Sequence, residues 1–273
     1  MGFEFSFDNP LNRDQESYWF CYQNDRLMVK VNDNKAVVPL LFDLDEIGIK
    51  PVRTQHLGRL NGVHCYSAEL PLDMPWPENV SFLNFIELHN LLEKEMYQVA
   101  INAQQIVAWE KDHQFCGRCG ARTRRKEKER AMACTDCGSL FFPRITPAIM
   151  VAIIKDNKIL LAKNKTFPQG FYSVLAGFAE PGEQLEECVR REVKEEVGLE
   201  IKNITYFGSQ PWPFPNSLMI AFTADYARNE IEVDGLEIIE ADWFSAENLP
   251  RCPTGTLSIA GRIIDWFRKT YPN

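Results

Sequence analysis

The chain has 273 residues, 45% hydrophobic and 25% charged, with 30 Lys and Arg against 38 Asp and Glu and a net charge of -8. That composition is globular and excludes wholesale disorder, a collagen-like repeat and a low-complexity chain. The length holds one large domain or two to three smaller ones. No apolar run reaches the ~18 residues of a membrane span. The opening MGFEFSFDNPLNRDQE has no basic stretch followed by an apolar one. The expectation is therefore a cytoplasmic protein with no membrane partner. To hold an anionic ligand, a chain this acidic needs local basic groups or a metal.

Residues 1–110 read as an N-terminal α+β domain. Arg26–Val31, Ala36–Phe42 and Val63–Leu70 are short apolar runs bounded by Asn, Asp, Gly and Pro, the pattern of strands. Pro71–Pro77 is a loop, and from Phe82 to Trp109 apolar residues recur at helical spacing. No catalytic constellation is visible, so the segment is expected to scaffold or dimerise.

Residues 111–143 carry Cys116, Cys119, Cys134 and Cys137 as C-x2-C-x14-C-x2-C. Two matched knuckles, each followed by glycine, deliver four thiolates to one tetrahedral Zn2+. Four sulfur ligands close the site, so one structural zinc per chain is expected, and His113 is left as a surface residue. Cys21, Cys65, Cys188 and Cys252 carry no motif and read as packing residues. Between the knuckles, Arg122, Arg124, Arg125, Lys126, Lys128 and Arg130 alternate in part with Glu127 and Glu129. A solvated ribbon explains this charge better than a nucleic-acid surface.

Residues 144–273 change character. Ile149–Ile154 and Lys158–Ala162 are strands joined by a two-residue turn at Asp156-Asn157. Tyr172–Ala176 is a third strand and Gly177–Gly182 a loop. Glu183–Val197 is a helix that Gly198 ends. Strands follow at Ile204–Ser209, Ser217–Tyr226 and Ala241–Phe244, and Thr256–Arg268 is a final helix. On the 183–197 helix, Glu192, Glu195 and Glu196 share an arc of about 100°, beside an apolar stripe of Leu185, Val189, Val193 and Val197. Three like charges so placed repel one another. A divalent cation offsets that, and oxygen-only ligands suit Mg2+ or Mn2+. Downstream, Ser209–Ser217 (SQPWPFPNS) alternates three prolines with two aromatics. It reads as a stiff extended segment, either presenting flat faces for stacking or packed as a rigid loop.

Gly177–Leu199 fits G-x5-E-x7-R-E-U-x-E-E-x-G-U, where U is a bulky aliphatic, with Gly177, Glu183, Arg191 and Gly198 at structural positions. This is the Nudix box, and the chain resembles the Nudix hydrolase superfamily. With SQPWPFPNS after the box and the ribbon before it, it is similar to that superfamily's NADH pyrophosphatase subgroup. The resemblance implies a Nudix α/β/α sandwich with a mixed sheet over 144–273, preceded by the zinc ribbon and the α+β domain.

The same resemblance implies a homodimer that hydrolyses the NAD(H) pyrophosphate to NMN(H) and AMP, and also acts on NAD-capped RNA. Catalysis and Mg2+ or Mn2+ binding fall to Glu192, Glu195 and Glu196. A further ligand comes from Glu237, with Glu240 still open. Substrate contacts fall to Phe178, Gln210, Trp212, Ser217 and Ala260. Phe141-Phe142-Pro143 stands where relatives often have Tyr-Tyr-Pro, which keeps stacking but loses the hydroxyls. Two alternatives stay open: hydrolysis of ADP-ribose or dinucleoside polyphosphates, and a zinc-ribbon RNA-binding regulator.

Overall fold

The computed structural model describes residues 2–6 and 14–272. They form two compact units, Met1–Arg144 and Ile145–Asn273.

The first unit begins with eight strands: β1 (Phe3–Phe5), β2 (Ser17–Gln23), β3 (Arg26–Asn32), β4 (Lys35–Val37), β5 (Leu40–Leu41), β6 (Arg53–Leu60), β7 (Val63–Glu69) and β8 (Ser81–Leu83). They make one sheet in the order β1-β6-β7-β2-β3-β4, with β5 added to β2 and β8 to β3. The β2–β7 pair is parallel. Four of these strands, β1, β2, β6 and β8, escape the sequence reading, and the two long ones show why. β2 is apolar on both faces: Phe20 and Tyr22 enter one core, Trp19 and Cys21 the other. Such a central strand shows no alternation. β6 looks polar because it carries Thr54, Gln55 and His56. Its register shifts between His56 and Gly58, and at Gly58 a φ of 142° and the approach of the Glu4 carbonyl leave no room for a side chain.

The expected helical stretch divides. Phe82 lies in β8, α1 (Phe85–Leu88) is a single turn capped by Asn84, and α2 (Lys94–Asp112) packs Val99, Ala100, Ala103 and Ile106 into the core. The Tyr22 hydroxyl fixes α2 by donating to the Ala100 carbonyl at 2.7 Å.

The cysteine segment adds a three-stranded sheet of β9 (Thr123–Arg125), β10 (Met132–Cys134) and β11 (Leu140–Phe141), with β10 central. Its basic run is not wholly solvated. Arg125 grips the buried Glu110 of α2 with two bonds, one of 2.7 Å from Nη2, and also reaches the Thr54 carbonyl. Arg130 donates to the carbonyls of Ser6, His56 and Leu57 at 3.2–3.3 Å. His113 is not a surface residue either. It is buried at the end of α2, with Nδ1 2.7 Å from the Trp109 carbonyl.

The second unit is a mixed six-stranded sheet between two helices. Its strands are β12 (Thr146–Lys155), β13 (Lys158–Asn164), β14 (Leu175–Phe178), β15 (Glu200–Trp212), β16 (Ser217–Arg228) and β17 (Ile238–Phe244). The order is β15-β16-β12-β13-β17, with β14 added to β12. Only β12–β16 is parallel. One face packs Ile149, Val151, Ile153 and Phe222 under α3 (Leu185–Val197) through Val189, Val193 and Val197. The other packs Ala152, Ile154 and Ala221 under α4 (Ile259–Thr270) through Ile259, Ile263, Ile264 and Phe267. The result is an α/β/α sandwich. The β12–β13 turn places Asp156 and Asn157 at φ of 47° and 59°, the left-handed pair a two-residue hairpin requires.

Two local expectations change. Gly177 and Phe178 belong to β14 rather than a loop. Ser209–Trp212 continues β15, with Pro211 opposite Leu218 and Trp212 opposite Ser217. β15 is the sheet's edge, where a proline without an N–H is tolerated. The remaining prolines fall in the Pro213–Asn216 turn, which contains a cis Phe214–Pro215 bond.

Arg125 and Arg124 are adjacent on β9, but only Arg125 reaches Glu110. Arg125→Ala is expected to cost about 1–3 kcal/mol by orphaning a buried carboxylate. Arg124→Ala should stay within about 0.5 kcal/mol. Thermal unfolding of the two variants measures the difference.

Candidate functional site

The two cysteine knuckles are built alike. Gly120 and Gly138, each directly after the second cysteine, take φ of 77° and 72°. Main-chain N–H groups of Arg118, Asp136 and Cys137 point at the sulfurs of Cys116 and Cys134 at 3.4 Å. All four Sγ atoms lie within 4.8 Å of one another, with Cys116–Cys137 at 3.6 Å and Cys119–Cys134 at 3.4 Å. Four thiolates about 2.3 Å from one zinc stand about 3.8 Å apart, so the cluster fits Zn2+. Among the described residues it is the one such group of metal-binding side chains this close together.

In the second unit the chemistry centres on α3. Gly198 ends the helix at φ 72°, its N–H on the Lys194 carbonyl. Arg191 is the hub of the acidic face. Nε and Nη2 hold both oxygens of Glu183 at 2.7 and 2.9 Å. Nη1 reaches Glu192 at 2.8 Å and Glu195 at 3.0 Å, and Nη2 also donates to the Phe178 carbonyl at 3.0 Å. The arginine thus ties α3 to β14. Its bonds hold the Glu183 carboxyl at about 2, well below the usual range. Gly177 lets the Glu192 carboxylate sit where it does, because a Cβ there would stand 1.9 Å from the carboxylate carbon and displace it.

Glu192 and Glu196 are pushed the other way. Burial raises Glu192 despite Arg191. Burial raises Glu196 further, to about 8, with the charges of Glu192, Glu237, Asp234 and Glu195 adding to it. Glu196 is 6% exposed, and its Oε2 has no hydrogen-bond partner among the described residues. A buried carboxylate oxygen with no donor, amid other carboxylates, is unfavourable until a cation reaches it. Carboxylate oxygens are the donor type that suits Mg2+ or Mn2+. Glu195 is the exposed member, its side chain 60% accessible.

The two candidates on the β17 side separate. Glu237 acts electrostatically on both Glu192 and Glu196. Glu240 instead meets the Tyr172 hydroxyl and lies 4.0 Å from Lys163 Nζ. Sequence reading missed Asp234. Its main-chain N–H donates to the Glu196 carbonyl at 3.1 Å, and its carboxylate accepts from Glu237 and Ile238. The only sequence signal for it is an Asp-Gly turn before a strand.

The remaining candidates share the sheet face that α4 covers. Phe178, Ala148, Met219 and Gln210 are register partners in one row across β14, β12, β16 and β15. Trp212 and Ser217 pair two residues further along β15 and β16, on the same face. Phe178 is exposed and Ser217 buried. Gln210 donates through Nε2 to the Leu257 carbonyl at 2.9 Å, and its Oε1 has no partner among the described residues. Ala260 is buried in the first turn of α4.

Three domain families match along the chain: an NADH pyrophosphatase-like rudimentary Nudix domain over 16–109, the NADH pyrophosphatase zinc ribbon over 111–142, and the Nudix domain over 144–267. Among curated proteins, the NAD-capped RNA hydrolase NudC of Pseudomonas fluorescens is 47% identical over 212 residues, covering 77% of this chain and 76% of that protein. The chain belongs to the NudC family of Nudix proteins. The Pseudomonas aeruginosa NudC is 40% identical over 220 residues, covering 80% of this chain and 78% of that one. The Pseudomonas entomophila NudC is 48% identical over 173 residues, covering 63% of this chain and 62% of that protein's length. The family's zinc ribbon coincides with the four-cysteine cluster, a structural Zn2+ site. No helix among the described residues of this NudC-family chain is long and apolar enough to cross a membrane.

The raised Glu196 fixes a sign. Between its ordinary value of 4.5 and about 8, the folded protein keeps a proton that the unfolded chain has lost. Stability of the Mg2+- and Mn2+-free protein therefore falls as pH rises through that window. Glu196→Gln removes the loss and is expected to raise Tm at pH 8.5 but not at pH 4.5, by about 2–4 °C for each kcal/mol relieved. Calorimetry at the two pH values reads this directly. For the ribbon, metal analysis is expected to find one zinc per chain, and chelation to lower Tm.

Proposed function

We propose that the protein hydrolyses the pyrophosphate of NAD(H), giving NMN(H) and AMP, and removes the NAD cap from RNA 5′ ends. The observation that carries this is the buried Glu196 carboxylate, partnerless at one oxygen and surrounded by Glu192, Glu195 and Glu237. The activity printed for the NudC relatives supports the substrate.

Glu192, Glu195, Glu196 and Glu237 would hold Mg2+ or Mn2+. When bound, the cation supplies charge stabilisation at the phosphoryl oxygens and lowers the pKa of water. The protein's own groups do the rest. Arg191 orients Glu192 and Glu195 while Glu183 holds Arg191 in place. Glu196, once a cation offsets the burial and acidic neighbours that keep it protonated, would be a carboxylate able to accept a proton from the attacking water. Glu237, rather than Glu240, is the added ligand in this reading, because Glu240 is engaged with Tyr172 and Lys163. Phe178 and Trp212 offer aromatic faces to the nicotinamide ring. Ser217 and the Gln210 Oε1 offer polar contacts on the same face, and Ala260 a main-chain contact.

The wider setting is also our reading. The domain division is 1–110, 111–143 and 144–273, and NAD(H) points to the cytoplasm. The protein is a homodimer, for which the exposed Val31, Val37, Leu40 and Phe42 of the first unit supply apolar surface. An RNA chain would meet the exposed Arg122, which lies 5.2 Å over the Phe115 ring, together with Arg118 and Arg124.

With NADH and Mn2+, Glu196→Gln and Glu192→Gln are each expected to lower kcat by at least ~100-fold. Near-wild-type turnover in both would remove α3 from the chemistry. Replacing Arg118, Arg122 and Arg124 together by Gln is expected to slow decapping of NAD-capped RNA and spare NADH cleavage, a split read by comparing kcat/KM for the two substrates.

A further inference from the structure

Glu237 lies in a stretch without regular structure, between the end of β16 and the start of β17. A lone glutamate on such a segment would sample many positions. Here the segment is stitched down. Asp234 accepts from the Glu237 N–H at 3.0 Å and from the Ile238 N–H at 2.8 Å. Gly235 turns at φ 69°, and its N–H donates to the Ile238 carbonyl at 3.0 Å. The Glu237 carbonyl accepts from Lys165 N–H at 2.8 Å. The same segment is bound to the last turn of α3, where Asp234 N–H donates to the Glu196 carbonyl at 3.1 Å and Glu232 N–H to the Val197 carbonyl at 3.0 Å.

Asp234 is costly where it stands, because its charge adds to the repulsion on Glu196. Its carboxyl is nonetheless held below the usual range. Burial opposes this, but the N–H groups of Glu237, Ile238 and Leu236 outweigh it. A negative charge kept beside four others needs a local task, and the main chain shows one.

We propose that Asp234 is a positioning residue for Glu237, clamping the 234–238 turn so that the Glu237 carboxylate faces Glu192 and Glu196 across the end of α3. The inference rests on the reading that these carboxylates bind a divalent cation, and it adds the residue that keeps the fourth ligand in range. Asp234 needs to touch neither cation nor substrate. It acts through the backbone of Glu237, as outer-shell groups do for metal ligands.

Calorimetric titration of the zinc-loaded, full-length protein with MnCl2 tests this without turnover. Asp234→Ala is expected to weaken Mn2+ binding about 10-fold, and Asp234→Asn, which keeps one acceptor, by less. In a double-mutant cycle, Asp234→Ala added to Glu237→Gln should cause no further loss, since its effect passes through Glu237. Hydrogen exchange should show faster exchange at the Glu237 and Ile238 amides in Asp234→Ala, with Val193–Val197 still protected. Wild-type Mn2+ affinity in Asp234→Ala, or additive losses in the cycle, would overturn the positioning role. Faster exchange throughout the second unit would replace it with a general structural one. A wild-type protein that binds no Mn2+ at all would overturn the cation reading itself, while the amide pattern would still report on the clamp.

Discussion

One arginine holds the acidic face of α3 together. Arg191 binds Glu183 with two bonds, Glu192 and Glu195 with one each, and the Phe178 carbonyl with a fifth. Carboxylates this crowded would otherwise repel one another and distort the helix. The guanidinium fork suits the task because it directs several N–H donors in fixed directions. It also links two functions. The bond to the Phe178 carbonyl ties the glutamate-bearing helix to β14, the strand that carries one of the two aromatic candidates. A lysine could supply the charge but not this geometry.

Arg191 leaves one carboxyl of this face without a hydrogen bond from its guanidinium. Glu196 is buried with one oxygen unsatisfied, and its carboxyl is pushed up to about 8 by burial and by its acidic neighbours. The fold tolerates this because Val189, Val193 and Val197 anchor the adjoining face of α3 in the core. Apolar burial therefore holds in place a polar arrangement that is unfavourable alone. The ribbon in the first unit shows the same logic with sulfur: four thiolates are brought together by glycine-turned knuckles, and the metal makes that proximity favourable.

Most of the second unit was legible in the sequence, because its signals are local. The Asp156-Asn157 turn, the continuous apolar run of β12 and the Gly198 stop are each set by a few neighbouring residues. The box glycine had a reason that only the structure shows, namely the Glu192 carboxylate lying against Gly177. The first unit was harder to read. β2 has no alternation because both of its faces are buried, and β6 is polar in composition but held by pairing with β1 and β7. Arg125 and Arg130 looked solvated in a charged run, yet their partners lie 15 and more than 70 residues away. Asp234 was missed for a related reason: its role is in main-chain hydrogen bonds, which leave almost no trace in residue type.

In the proposed function, a carboxylate face that would bind a cation and a strand face that would bind nicotinamide lie within one domain. This pairing would cleave a dinucleotide pyrophosphate. Product analysis by mass spectrometry, with the purified protein, Mn2+ or Mg2+, and NADH, NAD+, ADP-ribose and NAD-capped RNA side by side, tests it most directly. The expected result is NMNH and AMP from NADH, release of NMN from NAD-capped RNA, and slower turnover of ADP-ribose. Intact NADH and intact NAD-capped RNA with either metal, or equal turnover of ADP-ribose and NADH, would contradict it.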